Sequence, residues 1–188
     1  MLDMARLERD ELVVEMKEVD VLAEARETVS LYKHTARQQS LDLSVEGSST
    51  RAHLDPACLH RILNNLVGNA LKFTDEGRVT VRVEDANEQV RLLVRDTGVG
   101  IDDEFLPHLF DEFRQESGGL DREHGGSGLG LAITKRLVEL MNGTISVESE
   151  ADAGTTFTVS FPREPERRDT ERATSDGGPT ASQPEQLA

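Results

Sequence analysis

Helical stretches alternate with short strands along this sequence and end in a hairpin, which predicts an α/β (α+β) two-layer sandwich, a mixed sheet with helices packed on one face. Three observations carry that reading. Val79, Val81 and Val83 alternate with Thr80 and Arg82, and Val90, Leu92 and Val94 repeat the period, so two half-buried strands follow one another. Apolar residues at helical spacing precede them twice, before and after Asp55-Pro56. Thr144–Glu148 and Thr155–Phe161 then read as two strands joined across Ala153-Gly154.

Taken in order, residues 1–9 place Met1, Leu2, Met4 and Leu7 among charges, the pattern of a helix end. So short a piece does not hold a helix by itself, so residues 1–10 are expected to be the stub of a longer one upstream. Residues 11–15 suit a brief strand. Asp20 suits an N-cap for a helix to about Gln39 that buries Val21, Leu22, Ala25, Val29 and Tyr32. Strands are expected around Leu41–Val45 and Arg51–Leu54. Asp55-Pro56 opens the next helix, with proline at its favoured first position, and this helix runs to about Phe73. A short helix is expected near Asp103–Leu109, then a glycine-rich stretch, then a helix over Leu131–Met141 stopped by Asn142-Gly143. Residues 163–188 hold no Val, Ile, Met, Phe or Tyr, and their only Leu is Leu187. Such a tail does not offset its own ordering entropy and is expected to be disordered, which leaves 11–162 as one domain.

With 188 residues the chain is long enough to bury a core, and its formal charge of −15 argues against a nucleic-acid-binding surface. Solubility is the plain reason for such a charge. The single cysteine, Cys58, excludes a disulfide framework and a cysteine-based zinc site. No apolar run approaches the ~20 residues that cross a bilayer, and no signal peptide opens the chain, so a cytoplasmic location is expected, with membrane anchoring of the full-length protein through an N-terminal region outside this chain left open.

Three segments carry chemistry. On the helix from Pro56, Leu59, Ile62, Leu63, Leu66, Ala70 and Phe73 form the core arc, and Asn65, Asn69 and Lys72 fall in one stripe beside it. An amide oxygen is a neutral hard ligand suited to Mg²⁺, its NH₂ donates to phosphate oxygens, and a lysine adds a point charge. Two asparagines and a lysine facing water would give the same stripe. Asp96-Thr97-Gly98-Val99-Gly100 leaves a strand, where a carboxylate can accept from an exocyclic amine such as that of adenine, although a plain turn reads the same way. Gly125-Gly126-Ser127-Gly128-Leu129-Gly130 runs into a helix N-terminus, a natural anion cradle, with Ser117-Gly118-Gly119 upstream as a hinge. A flexible linker is the alternative, but linkers rarely lead straight into an amphipathic helix. None of the fifteen glycines precedes a lysine and no G-x-G-x-x-G occurs, which excludes a P-loop, a dinucleotide fingerprint and a protein-kinase glycine loop.

In this order and spacing, DPACLHRILNNLVGNALKFT (55–74), DTGVGI (96–101), LFDEFRQ (109–115), GGSGLGLAITKRLVELMNGTISVESE (125–150) and GTTFTVSFP (154–162) resemble the ATP-binding catalytic domain of sensor histidine kinases, in the GHKL superfamily. The resemblance runs from Met1 to about Pro162 and implies a Bergerat-type fold that binds ATP and Mg²⁺. It implies that Asn69 coordinates Mg²⁺, that Asn65 and Lys72 hold phosphates, and that Phe73 flanks the adenine. Asp96 would accept the adenine amine, helped through water by Thr155. Gly98 and Gly100 would shape the base pocket, lined by Ile101. Gly126, Gly128, Leu129 and Gly130 would wrap the phosphates under a mobile lid whose near end Phe110 and Phe113 anchor. The family often carries Arg or Lys just after that second aromatic to meet the terminal phosphate, and here Arg114 and Gln115 stand there.

The resemblance further implies a γ-phosphate transfer to a histidine on a dimerisation domain, and from there to a response regulator receiver domain. A phosphoacceptor histidine in the commonest members is followed by an acidic residue. The five histidines here precede Thr35, Leu54, Arg61, Leu109 and Gly125, so none fits and the acceptor is expected outside this chain. His34 and His60 are expected on helix faces, and His124 in a solvated loop. GHKL hydrolases place a glutamate one turn before the magnesium-binding asparagine to activate water, and Asn65 stands there instead, unable to take a proton. A serine kinase of the anti-sigma type and an idle binding module remain as the other readings.

Overall fold

In a computed structural model, which describes residues 13–111, 114 and 128–163, a five-stranded mixed sheet carries three helices on one face. The chain runs β1 (Lys17–Asp20), α1 (Val21–Gln38), β2 (Asp42–Gly47), β3 (Arg51–Leu54), α2 (Pro56–Lys72), β4 (Arg78–Ala86), β5 (Gln89–Asp96), a 3₁₀ turn (Leu106–His108), α3 (Gly130–Leu140), β6 (Thr144–Glu150) and β7 (Gly154–Pro162). The sheet order is β2-β4-β5-β7-β6, with β2 parallel to β4 and every other pair antiparallel. The expected architecture is the observed one. The stub at 1–10, the glycine-rich stretch from Gly118 to Ser127, Phe113, Gln115 and the tail from residue 164 lie outside the described residues.

Local chemistry sets the helix starts. The Asp20 carboxylate accepts from the N–H groups of Leu22 and Ala23, and that of Asp55 accepts from Ala57 and Cys58, each capping donors that a first turn leaves unpaired. Helix α3 stops where Asn142 takes a left-handed φ of 56° and Gly143 donates back to Val138, as Asn142-Gly143 predicts.

Two expectations shift. The strand expected at 11–15 lies later, at Lys17–Asp20, and residues 13–16 are not strand. Its register is set by β3, where Lys17 faces Leu54 and Asp20 faces Arg51 in a separate two-stranded ribbon, a partner that local alternation does not reveal. The helix expected near Asp103–Leu109 shrinks to the single 3₁₀ turn, which Pro107 cannot extend as an i→i−4 donor.

Alternation places the core. Val79, Val81 and Val83 on β4, Val90, Leu92 and Val94 on β5, and Phe157, Val159 and Phe161 on β7 all point to the helices, each 6% exposed or less. Helix α2 answers with Leu59, Ile62, Leu63, Leu66 and Val67, all fully buried. Each such side chain contributes about 1.5–3 kcal/mol of transfer free energy. Cys58 is buried at the start of α2, and burial with Asp55 beside it pushes its thiol up to about 11, so it stays protonated. Among the described residues no helix is long and apolar enough to cross a membrane.

Asp55 has a third partner, the backbone N–H of Glu15 at 2.7 Å, which ties the incoming chain to the start of α2. Burial alone would raise its pKa, but the N–H groups of Cys58, Glu15 and Ala57 outweigh it and hold the carboxyl below the usual range. For an acid of lowered pKa the stabilisation is present above the unfolded-state value and is lost as pH falls through the folded one. Asp55→Ala is therefore expected to cost about 1–2 kcal/mol in urea unfolding at neutral pH, with the gap to the native protein closing below about pH 4. A gap that stays constant with pH would remove the ionised carboxylate from this role.

Candidate functional site

One end of the helix–sheet interface gathers four segments: the C-terminal half of α2, the exit of β5, the start of β7 and the N-terminus of α3. Helix α2 brings Asn65, Asn69 and Lys72, all half-buried beside its core arc. The stripe therefore lies at the margin of the core rather than out in water. The Lys72 ammonium sits 4.4 Å from the centroid of Phe73, the residue that ends the helix. Among the described residues the Asn69 amide has no hydrogen-bond partner.

Asp96 takes the next inward position after Val90, Leu92 and Val94, so the period that builds the core also aims a carboxylate into it. It is 6% exposed, and its Oδ1 accepts from the N–H groups of Gly98 (2.9 Å) and Thr155 (3.1 Å). Burial raises its pKa above the ordinary aspartate value, and those two N–H groups only partly offset the rise. Its Oδ2 takes no bond from a described residue, and among these no buried side-chain polar atom lacks a partner, so Oδ2 is open to the site. A plain turn does not account for a buried carboxylate held in this way.

The loop after Asp96 is stitched on both sides. Val99 N–H donates to the Phe73 carbonyl at 3.2 Å, and a Cβ on Gly98 would collide with that same oxygen. Only glycine lets the two backbones approach so closely. Gly100 follows with a left-handed φ of 71°. Ile101 N–H donates to Ser149 Oγ at 2.9 Å, and Ser149 Oγ lies 2.9 Å from Thr155 Oγ1. Thr155 is 6% exposed and Ile101 is partly buried against the core.

Gly128, with φ of 68°, and Leu129 lead into α3 at Gly130, and among the described residues no side chain caps that helix start. Its first N–H groups are therefore available to an anion. Asn65 donates from Nδ2 to Thr134 Oγ1 on α3 at 2.8 Å, so its amide ties α2 to the neighbouring helix. At the other border Lys135 lies 5.7 Å from the Phe110 ring centroid, and Arg114 stands 3.8 Å from Asp111. Gly126 lies outside the described residues. Nothing local in the sequence marks Ser149 or Thr134, because the bonds that bring them to the site, to Ile101 and Asn65, join residues distant in the chain.

Among the described residues no group of three or more His, Cys, Asp or Glu converges as a metal site. A cation here would have neutral amide oxygens and whatever a ligand brings, which suits a hard ion such as Mg²⁺ carried on phosphates. A concavity of about 390 Å³ lined by Arg78, Arg82, Arg95 and Glu148 lies on the opposite face of the sheet and shares none of these residues.

A family model described as histidine kinase-, DNA gyrase B-, and HSP90-like ATPase matches residues 54–165, the span that holds all four segments. The chain belongs to this family. Within this ATPase family its relatives are histidine kinases: it is 37% identical over 164 residues to the signal transduction histidine-protein kinase BarA of Escherichia coli, covering 83% of this chain and 18% of that protein. With the sensor histidine kinase AruS of Pseudomonas aeruginosa the figures are 39%, 83% and 16%. The chain thus spans less than a quarter of the length of these curated relatives. Full-length ShkA in complex with AMPPNP superposes with a TM-score of 0.77 at 31% identity, over 86% of this chain and 34% of that one. The catalytic domain of histidine kinase ThkA gives 0.73 at 26%, over 82% of this chain and all of that one. The chain is a histidine-kinase catalytic domain with the ATP-binding fold of its family.

The stitching at Gly98 has a direct consequence. Gly98→Ala must push the Asp96 loop away from the end of α2, an overpacking that is expected to cost about 1–3 kcal/mol in urea unfolding. An unchanged midpoint would mean that the loop is not held against Phe73.

Proposed function

We propose that this domain binds Mg-ATP between α2, the Asp96 loop and the start of α3, and presents the γ-phosphate to a histidine on a dimerisation domain outside the described chain. The observation that carries the reading is the pairing of an Asp96 Oδ2 that takes no bond from a described residue, at one end of the site, with Lys72 and an Asn69 amide that has no partner among the described residues, along α2. The carboxylate suits the adenine amine. The amides and lysine suit a triphosphate.

In this reading Phe73 and Ile101 flank the base, Gly98 and Gly100 shape the wall behind it, and Thr155 supports Asp96. Asn69 ligates Mg²⁺, with Asn65 and Lys72 beside the phosphates. Gly126, Gly128, Leu129 and Gly130 bring backbone N–H groups to the same phosphates. When bound, Mg²⁺ supplies charge neutralisation across the phosphates. The protein's own part is to position the nucleotide and keep its terminal phosphate in line for attack, which is the larger share of catalysis in phosphoryl transfer.

Asn65 stands where a hydrolase of this superfamily needs a glutamate base, and an amide cannot take a proton from water. That favours transfer to a protein nucleophile over hydrolysis. A response regulator receiver domain is the next acceptor in this scheme, and the relatives' names as signal transduction and sensor histidine kinases support it.

The isolated chain is expected to bind ATP with magnesium but not to label itself with radioactive γ-phosphate, whereas a supplied dimerisation domain becomes labelled. Labelling on any histidine of this chain would overturn the reading. Asn69→Asp places a like charge against the phosphates and is expected to lower transfer about a hundredfold while the far-ultraviolet spectrum is unchanged. Full transfer by that variant would remove Asn69 from its role.

A further inference from the structure

Asn65 on the α2 stripe is bonded to a residue of another helix, and that partner has no part in the scheme above. Thr134 lies one turn into α3, is 1% exposed, and accepts from Asn65 Nδ2 at 2.8 Å. Gly130 lies four residues earlier on the same face of α3. A Cβ there would collide with Asn65 Oδ1, so Gly130 and Thr134 together form a slot for one amide group. With the nitrogen held at Thr134, the oxygen is turned to Gly130, at the start of α3 where no described side chain caps the first N–H groups.

We infer that Thr134 is a positioning residue that fixes the rotation of the Asn65 amide, so that Asn65 offers an oxygen rather than its NH₂ to the nucleotide site. This rests on the proposed Mg-ATP reading and refines it. An amide turned this way acts on the cation side of a magnesium–phosphate complex, because Oδ1 is an acceptor only. A free amide would rotate to donate to phosphate oxygens instead. The same hydrogen bond joins the helix that bears Asn69 and Lys72 to the helix whose start faces the phosphates, so the two halves of the site are held in one register.

Thr134→Val keeps the shape of the side chain and removes its hydroxyl; Thr134→Ser keeps the hydroxyl and removes the methyl. Calorimetry of ATP binding, with magnesium and with EDTA, separates the cation-dependent part of the affinity. Thr134→Val is expected to lose about tenfold of the magnesium-dependent gain and little in EDTA, while Thr134→Ser stays within about twofold of the native protein. In the nucleotide-free protein, the side-chain NH₂ resonances of Asn65 are expected to move in the valine variant and stay near their native positions in the serine variant. Equal affinity of Thr134→Val and native protein overturns the inference. So does a serine variant as weak as the valine one, since the methyl group and not the hydroxyl would then matter, or a valine variant weakened equally with and without magnesium. If the native protein itself shows no magnesium-dependent binding, the Mg-ATP reading fails first and takes this refinement with it, an outcome distinct from failure of the variants alone.

Discussion

The burial of α2 against the sheet is the constraint on which the rest depends. Leu59, Ile62, Leu63, Leu66 and Val67 are withdrawn from water against the inward rows of β4 and β5, and that contact leaves the helix no freedom to rotate about its axis. At 3.6 residues per turn, fixing the apolar arc also fixes where Asn65, Asn69 and Lys72 point. Rotation by one residue would expose leucines and bury a lysine, at a cost of several kcal/mol. The polar stripe is held in position by hydrophobic packing on its other side.

The same economy operates at Asp96. A strand that alternates inward and outward delivers Val90, Leu92 and Val94 to the core, and the next inward place belongs to a carboxylate. Burying it is unfavourable, as its raised pKa records, and two backbone N–H groups reduce the cost without cancelling it. What remains is an acceptor short of partners at the edge of the core, which is a good reason for a donor-bearing ligand to bind there. The glycine at 98 and the bond from Val99 to Phe73 keep the loop pressed to the end of α2, so base and phosphate subsites share one wall.

Much of this was legible in order along the chain. The N-caps at Asp20 and Asp55, the stop at Asn142-Gly143 and the alternating valines all act within a few residues, and each element forms within a residue or two of where these signals place it. Apart from the 3₁₀ turn that Pro107 cuts short, the exceptions share a cause in contacts between distant residues. The first strand lies at Lys17–Asp20 because β3 pairs with it there, whereas Glu15 just before it donates to the Asp55 side chain instead of to a strand. The bonds of Thr134 to Asn65 and of Ser149 to Ile101 are invisible locally because each joins residues about fifty or more apart in sequence.

The sequence by itself determined the kinds of groups available: two amides and a lysine on one helical stripe, an aspartate at a strand exit, glycines before a helix, and no acid in the place of a hydrolytic base. Periodicity and capping are local, so these assignments needed no knowledge of neighbours. Only the tertiary structure decided which of those groups still have a free atom. Among the described residues it left Asp96 with one oxygen without a partner and Asn69 with an amide without one, while Asn65 is held by Thr134. A hydrogen bond between distant residues depends on how whole helices pack, and no local pattern carries that information.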